Sequence, residues 1–175
     1  PDALSALVPV AAPSNPWSTE LELYYRVLSA PWGQHLVVPA ITAWVPEETV
    51  TSAIEEIFAP QSPPLGYSHY VGAPLTLRRV SLRANAMQRA SLKEEIRALQ
   101  PRYAEIGVPT EIVHGTADTT VGLEIHSEKL VHQIPGATLT RLDGIGHMPH
   151  HAARDAVINA IDRAAERAGL LDPAI

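Results

Sequence analysis

Two side chains of this 175-residue chain stand where a sheet would present them to a ligand. Asp118 follows Gly115-Thr116-Ala117 at the end of the β-rich run 110–115, and His147 follows Gly144-Ile145-Gly146 at the end of the run 138–143. Brought together, an aspartate and a histidine make the orienting acid and the general base of nucleophilic catalysis: the carboxylate selects the imidazole tautomer and stabilises the imidazolium that forms. Singly, an Asp after a strand is most often a turn residue or helix cap and a His after Gly a loop residue, and the order of the two strands is what gives the pair its weight. The chain has no cysteine, which excludes a thiol nucleophile, a zinc–cysteine site and a disulfide framework. His147, His150 and His151 lack a carboxylate in a metal-binding pattern. No metal and no cofactor is expected.

For Asp118 and His147 to meet, the two runs must be neighbours. Strands in a sheet lie about 5 Å apart, and open parallel sheets bind ligands beyond the carboxyl ends of their strands. The spacing predicts helices over 122–133 and 152–168, the second with Ala153, Val157, Ala160, Ile161 and Ala164 on one face. Strand, helix, strand, helix marks a parallel sheet covered by helices, an α/β architecture. The opening run 3–10 reads as a further strand of that sheet.

The stretch between is different. Of 16 prolines, 11 precede residue 75, which excludes a regular sheet or long bundle there because each removes a donor and fixes φ. Short helices are expected over 18–29, 33–44 and 47–58, the last turning Val50, Ile54, Ile57 and Phe58 inward while Glu47, Glu48, Glu55 and Glu56 stay wet. A longer helix over 77–99 carries Arg89, Lys93 and Arg97 as one stripe, read as a solvated face. Residues 27–46 contain no charged side chain except His35 if protonated. Pro31, Gly33, Gln34, His35 and Pro39 argue against a membrane span, leaving buried helices or an apolar substrate wall. Trp17, Trp44, Tyr67 and Tyr70 are the candidate substrate contacts, with core packing or amphipathic seam residues as the plainer alternative. A net charge of -6, with 46% hydrophobic and 18% charged residues, is that of a globular protein without affinity for nucleic acid.

The run from Ile106 to Asp118 (IGVPTEIVHGTAD) resembles the seventh strand and acid loop of the α/β-hydrolase superfamily. Ile134-Pro135-Gly136-Ala137-Thr138-Leu139 with Gly144-Ile145-Gly146-His147 is similar to that family's eighth strand and histidine loop. The resemblance implies the C-terminal part of the fold: a core formed by 1–11 and 104–175, with 3–10 as the sixth strand and Pro1-Asp2 closing a preceding helix, and a helical cap at 12–103. It implies Asp118 and His147 as catalytic acid and base. The family's nucleophile precedes both, and no G-x-S-x-G elbow occurs here; Gly66-Tyr67-Ser68-His69-Tyr70 lacks the second glycine and follows the sixth strand. The nucleophile is therefore expected in an N-terminal half of the same protein, cleaved, separate or outside this chain. The expected function is hydrolysis of a small apolar ester or similar acyl substrate. The alternatives are an epoxide hydrolase or dehalogenase with an Asp nucleophile, for which Tyr67 and Tyr70 resemble oxygen-polarising cap tyrosines, and a non-catalytic ligand-binding member. Contact with membranes is not expected and a cytoplasmic location is.

Overall fold

The computed structural model describes residues 3–20 and 23–171. The expectation for Pro1-Asp2 lies outside them. The chain forms two units, the first from Pro1–Asn15, Ile57–Ser62 and Ile96–Ile175 and the second from Pro16–Glu56 and Pro63–Glu95. The first therefore also includes 12–15, 57–62 and 96–103, which lie within the expected cap of 12–103.

At the centre of the first unit β1 (Glu111–Gly115) pairs in parallel with β2 (Thr138–Leu142), Ile112 opposite Leu139. Alternation splits β1 between two helical layers. Ile112 faces α6 (Ser127–Gln133) and packs with Leu130 and Ile134, while Val113 faces α8 (Arg154–Arg167) and packs with Val157 and Ala160. In α8 the buried positions Val157, Ala160 and Ala164 form the expected stripe, but Ile161 is half exposed, because it lies at the edge of so narrow an apolar face. The helix before it breaks at Ala153, separating the short α7 (Pro149–Ala152) from α8.

The opening run is extended and lies against β1, yet it is not a continuous strand. Leu7 N–H bonds to Pro109 O at 2.9 Å, Glu111 N–H to Leu7 O at 3.0 Å, Val113 N–H to Pro9 O and Ala11 N–H to Val113 O at 2.9 Å. The missing rung is the one Pro9 would donate, since its ring nitrogen carries no hydrogen. Two parallel bridges, Leu7–Thr110 and Val10–Val113, remain where a ladder was expected.

Beyond Ala11 a buried polar network holds the chain. His126 Nδ1 accepts the Ser14 and Asn15 backbone N–H groups at 3.1 Å each. Asn15 exchanges hydrogen bonds with Gln133 and accepts one from Gln100 at 2.7 Å. Burial, together with His114 and Lys129 nearby, lowers the pKa of His126 to about 4, so it is a neutral acceptor at pH 7. At the other end of β1, buried Glu111 meets Arg163 Nε at 3.0 Å and Arg167 Nη1 at 2.6 Å. Burial alone would raise its pKa. Hydrogen bonds from Thr138, Arg167 and Arg163 outweigh that and hold it below the usual range.

The second unit is helical. It contains α1 (Leu23–Ser29), α2 (Pro31–Trp44), most of α3 (Glu47–Phe58), the single turn α4 (Tyr67–Tyr70), a 3-10 turn at Ala73–Leu77 and most of α5 (Arg79–Leu99). Its core joins Leu28, Val38, Leu82 and Ala86. The α1–α2 approach needs Gly33, where a Cβ would sit 1.7 Å from Val27 O. The expected inward face of α3 holds for Val50, Ile54 and Phe58, whereas Ile57 stays 38% exposed. Arg89 and Lys93 do not form a bare solvated stripe: they lie 5.2 and 5.8 Å from the ring centre of Trp17, whose π face attracts both cations. Among the described residues no helix is long and apolar enough to cross a membrane.

Candidate active site

The carboxyl ends of β1 and β2 carry the two loops expected to bear chemistry. Gly115 ends β1 because the β2 loop passes directly over it: a Cβ there would lie 2.1 Å from Ile145 O and 2.6 Å from Gly146 O. Ala117 N–H bonds to Ile145 O and Thr116 N–H to Leu142 O, both at 2.9 Å, so the two loops are stitched by backbone. Gly144 takes a left-handed conformation, φ +68°, which glycine adopts without strain, and turns the chain back toward β1.

This places Asp118 and His147 in contact, with Asp118 Oδ2 2.8 Å from His147 Nδ1. The carboxylate is fully engaged. Oδ1 accepts the backbone N–H groups of Thr120 and Val121, each at 2.8 Å, and Oδ2 also lies 3.1 Å from His114 Nε2. Burial would raise the pKa of Asp118, but hydrogen bonds from His114, His147 and the Val121 backbone, with the charge of His147, outweigh it. The carboxyl is held well below the usual carboxylate range and stays ionised. Its side chain has no exposure, whereas that of His147 keeps 22%. With Nδ1–H donated to Asp118, His147 presents Nε2 as the nitrogen that takes or gives a proton.

His114 was not singled out in the sequence. It is fully buried on the α6 face of β1, with Nδ1 2.6 Å from Ser127 Oγ and Nε2 2.8 Å from Val121 O. Because Nε2 faces a carbonyl and a carboxylate, both acceptors, the hydrogen belongs on Nε2 and Nδ1 accepts from the Ser127 hydroxyl. It is a second imidazole braced against the same carboxylate. The signal available in the sequence was one polar residue inside an otherwise apolar strand core, Ile112-Val113-His114.

The other candidate contacts lie in the second unit. Trp17 carries Arg89 and Lys93 on its ring. Trp44, at the end of α2, is 82% exposed, and Tyr70 in α4 is 87% exposed, with Tyr67 one turn away in the same helix. His150 and His151 lie ring against ring at 4.5 Å, and His151 also meets Phe58. Among the described residues no group of three or more His, Asp or Glu side chains is arranged to hold a metal ion.

No protein-family model matches the sequence. No curated protein matches it either. Solved structures do. A thermophilic esterase from Thermogutta terrifontis superposes with a TM-score of 0.58 at 16% identity, over 95% of this chain and 57% of its own. The 2-hydroxy-6-oxo-6-phenylhexa-2,4-dienoate hydrolase of Rhodococcus sp. strain RHA1 gives 0.64 at 17% identity, over 91% and 54%. An α/β-hydrolase fold protein from Nakamurella multipartita gives 0.50 at 21% identity, over 96% and 62%. The chain therefore spans between 54% and 62% of the length of these structures.

Proposed function

The chain has the α/β-hydrolase fold over part of that fold's length, and from this we propose that it supplies the acid and base of a hydrolytic triad. The observation that carries the reading is the 2.8 Å pair between buried Asp118 and partly exposed His147 at the carboxyl ends of adjacent parallel strands. Asp118 holds the Nδ1–H tautomer and stabilises the imidazolium. His147 Nε2 takes the proton from an attacking serine hydroxyl, whose oxygen bonds to the acyl carbon, and passes it to the departing alkoxide. In the second half water attacks the acyl-enzyme, gives its proton to His147, and the serine oxygen leaves with it.

In this reading the serine belongs to a part of the protein outside this chain, and the second unit is a cap. The substrate is an apolar ester or similar acyl compound, with Trp17, Trp44, Tyr67 and Tyr70 as candidate contacts. The uncharged character of the 27–46 stretch, which keeps α2 apolar, supports an apolar substrate.

The test is a fluorophosphonate probe applied to the whole protein, followed by intact mass measurement, with His147→Ala alongside. One adduct on wild type, and turnover of a chromogenic ester lost in His147→Ala that remains folded, is the expected result. Turnover that survives His147→Ala refutes the assignment. Turnover without any adduct removes the serine and leaves a carboxylate nucleophile in its place.

A further inference from the structure

The geometry points to Gln61 as a positioning residue for His147, an inference that rests on the proposed role of that histidine as base. Between Leu142 and His147 the chain runs through Asp143, Gly144, Ile145 and Gly146, and glycines flank Ile145 on both sides. Two glycines in four residues leave the backbone freer than ordinary side chains would, so contacts must impose its conformation. The acid loop supplies two, Gly144 N–H to Thr116 Oγ1 at 2.9 Å and Ala117 N–H to Ile145 O at 2.9 Å. Gln61 supplies two more with a single side chain. Its Nε2–H donates to Gly144 O at 2.8 Å, and its Oε1 accepts from Gly146 N–H at 2.9 Å.

A carboxamide is the side chain that matches this task. It carries one donor and one acceptor on a planar group, as a peptide unit does, and so it pairs with the carbonyl and N–H on either side of Ile145 like a short piece of strand. The segment bearing it is itself fixed. Phe58 is 2% exposed, and Gln61 N–H bonds to Phe58 O at 2.9 Å. Ala59 O comes so near Gly146 that a Cβ on that glycine would lie 2.0 Å from it. Residues 57–62 thus form a rigid splint laid on the loop, and the residue next to the splinted Gly146 is His147. Asp118 holds the imidazole at Nδ1, and Gln61 fixes the backbone from which the imidazole projects.

Gln61→Met keeps the length of the side chain and removes both hydrogen bonds. The first readout is the nitrogen-bound proton of His147 in the whole protein labelled with 15N-histidine, which needs no turnover. Exchange of the Nδ1 proton with water should accelerate about tenfold as the imidazole loses its fixed aim at Asp118, while the His126 ring signals stay in place. The second readout is hydrolysis by the whole protein, where kcat should fall roughly 10- to 100-fold with KM within about twofold, because aim and not binding is lost. Gln61→Glu is the second variant. Its ionised carboxyl can still accept from Gly146 N–H but repels Gly144 O, and its protonated form regains the donor. Its Nδ1 proton exchange should therefore be fast at neutral pH and approach the wild-type rate, measured at the same pH, as the introduced carboxyl protonates. Unchanged proton exchange in folded Gln61→Met overturns the inference, as does a Gln61→Glu defect that does not respond to pH. Altered exchange in a whole protein that hydrolyses nothing keeps the positioning role and sinks the catalytic reading instead.

Discussion

Asp118→Asn preserves shape and removes charge, and the structure dictates which way the amide must turn. The position of Oδ1 receives two backbone N–H groups at 2.8 Å, so it has to remain an oxygen. The NH2 then occupies the place of Oδ2, 2.8 Å from His147 Nδ1 and 3.1 Å from His114 Nε2. It can donate to His147 only if Nδ1 gives up its hydrogen, which moves the proton to Nε2 and leaves the base unable to accept one. A wrong tautomer in a Ser-His-Asp site lowers kcat about 10⁴-fold, or about 5 kcal/mol in the barrier. Stability also falls. Two charge-assisted bonds become neutral ones and two are lost or reversed, about 3 kcal/mol in all at the usual worth of bonds to charged groups. Asp118 has a depressed pKa in the folded chain, so its contribution is complete above the unfolded value near 4 and is lost as pH falls through the lower folded value. The variant should therefore lose the acid limb that Asp118 gives the wild type below about pH 4. The assays are 15N NMR of the histidine rings, ester hydrolysis by the whole protein, and urea unfolding against pH. An Nδ1–H tautomer persisting at His147 in the variant, or a loss of kcat under about tenfold, refutes the reasoning.

The remaining expectations concern the supports of the site. His126 has its pKa lowered from 6.5 to about 4, so folding is favoured above pH 6.5 and that advantage drains away as pH falls through 4; His126→Gln, which keeps an acceptor without titrating, should flatten urea stability over this window by up to about 3 kcal/mol. Gly115→Ala drives a Cβ to 2.1 Å from Ile145 O, and should cost roughly 1–3 kcal/mol in thermal unfolding while impairing turnover, since the histidine loop is what must move. Glu111→Gln removes the charge that Arg163 and Arg167 share, and denaturant unfolding should show a loss of about 2–3 kcal/mol, less than for a fully buried pair because both arginines are partly exposed.

The contact of Asp118 with His147 and the strands that bring them together were legible because each is a local pattern: a β-branched run, a glycine stop, a polar residue three positions on. Parallel pairing of β1 with β2 follows from the helix between them. Pro9 was in plain view, yet whether it breaks a ladder depends on which neighbour that edge faces, a tertiary fact. His114 was legible only as part of a strand, because its role depends on Ser127 and Val121 arriving from further along the chain. Gln61 gave no signal at all. A glutamine after Ala59-Pro60 reads as surface, and its partners Gly144 and Gly146 lie over eighty positions away. Trp17 by itself suits a pocket or a core, and Arg89 and Lys93 by themselves suit a solvated face; only the packing of α5 joins them.

The opening segment has a consequence for how the chain is made. Leu7 and Val10 find their partners in Thr110 and Val113, so roughly 100 residues separate the two sides of one bridge. Closing a loop of that length costs about 4 kcal/mol of chain entropy before any contact repays it. A ribosome adding 5–20 residues each second would leave the segment without its neighbour for roughly 5–20 s after it emerges. For that interval Leu4, Leu7, Val8 and Val10 are an apolar, β-prone stretch that lacks β1 as its neighbour, the kind of sequence that chaperones capture and that misassociates when they do not. Pro9, which interrupts the finished ladder, interrupts that premature pairing as well, and so the residue that weakens the sheet also guards the nascent chain.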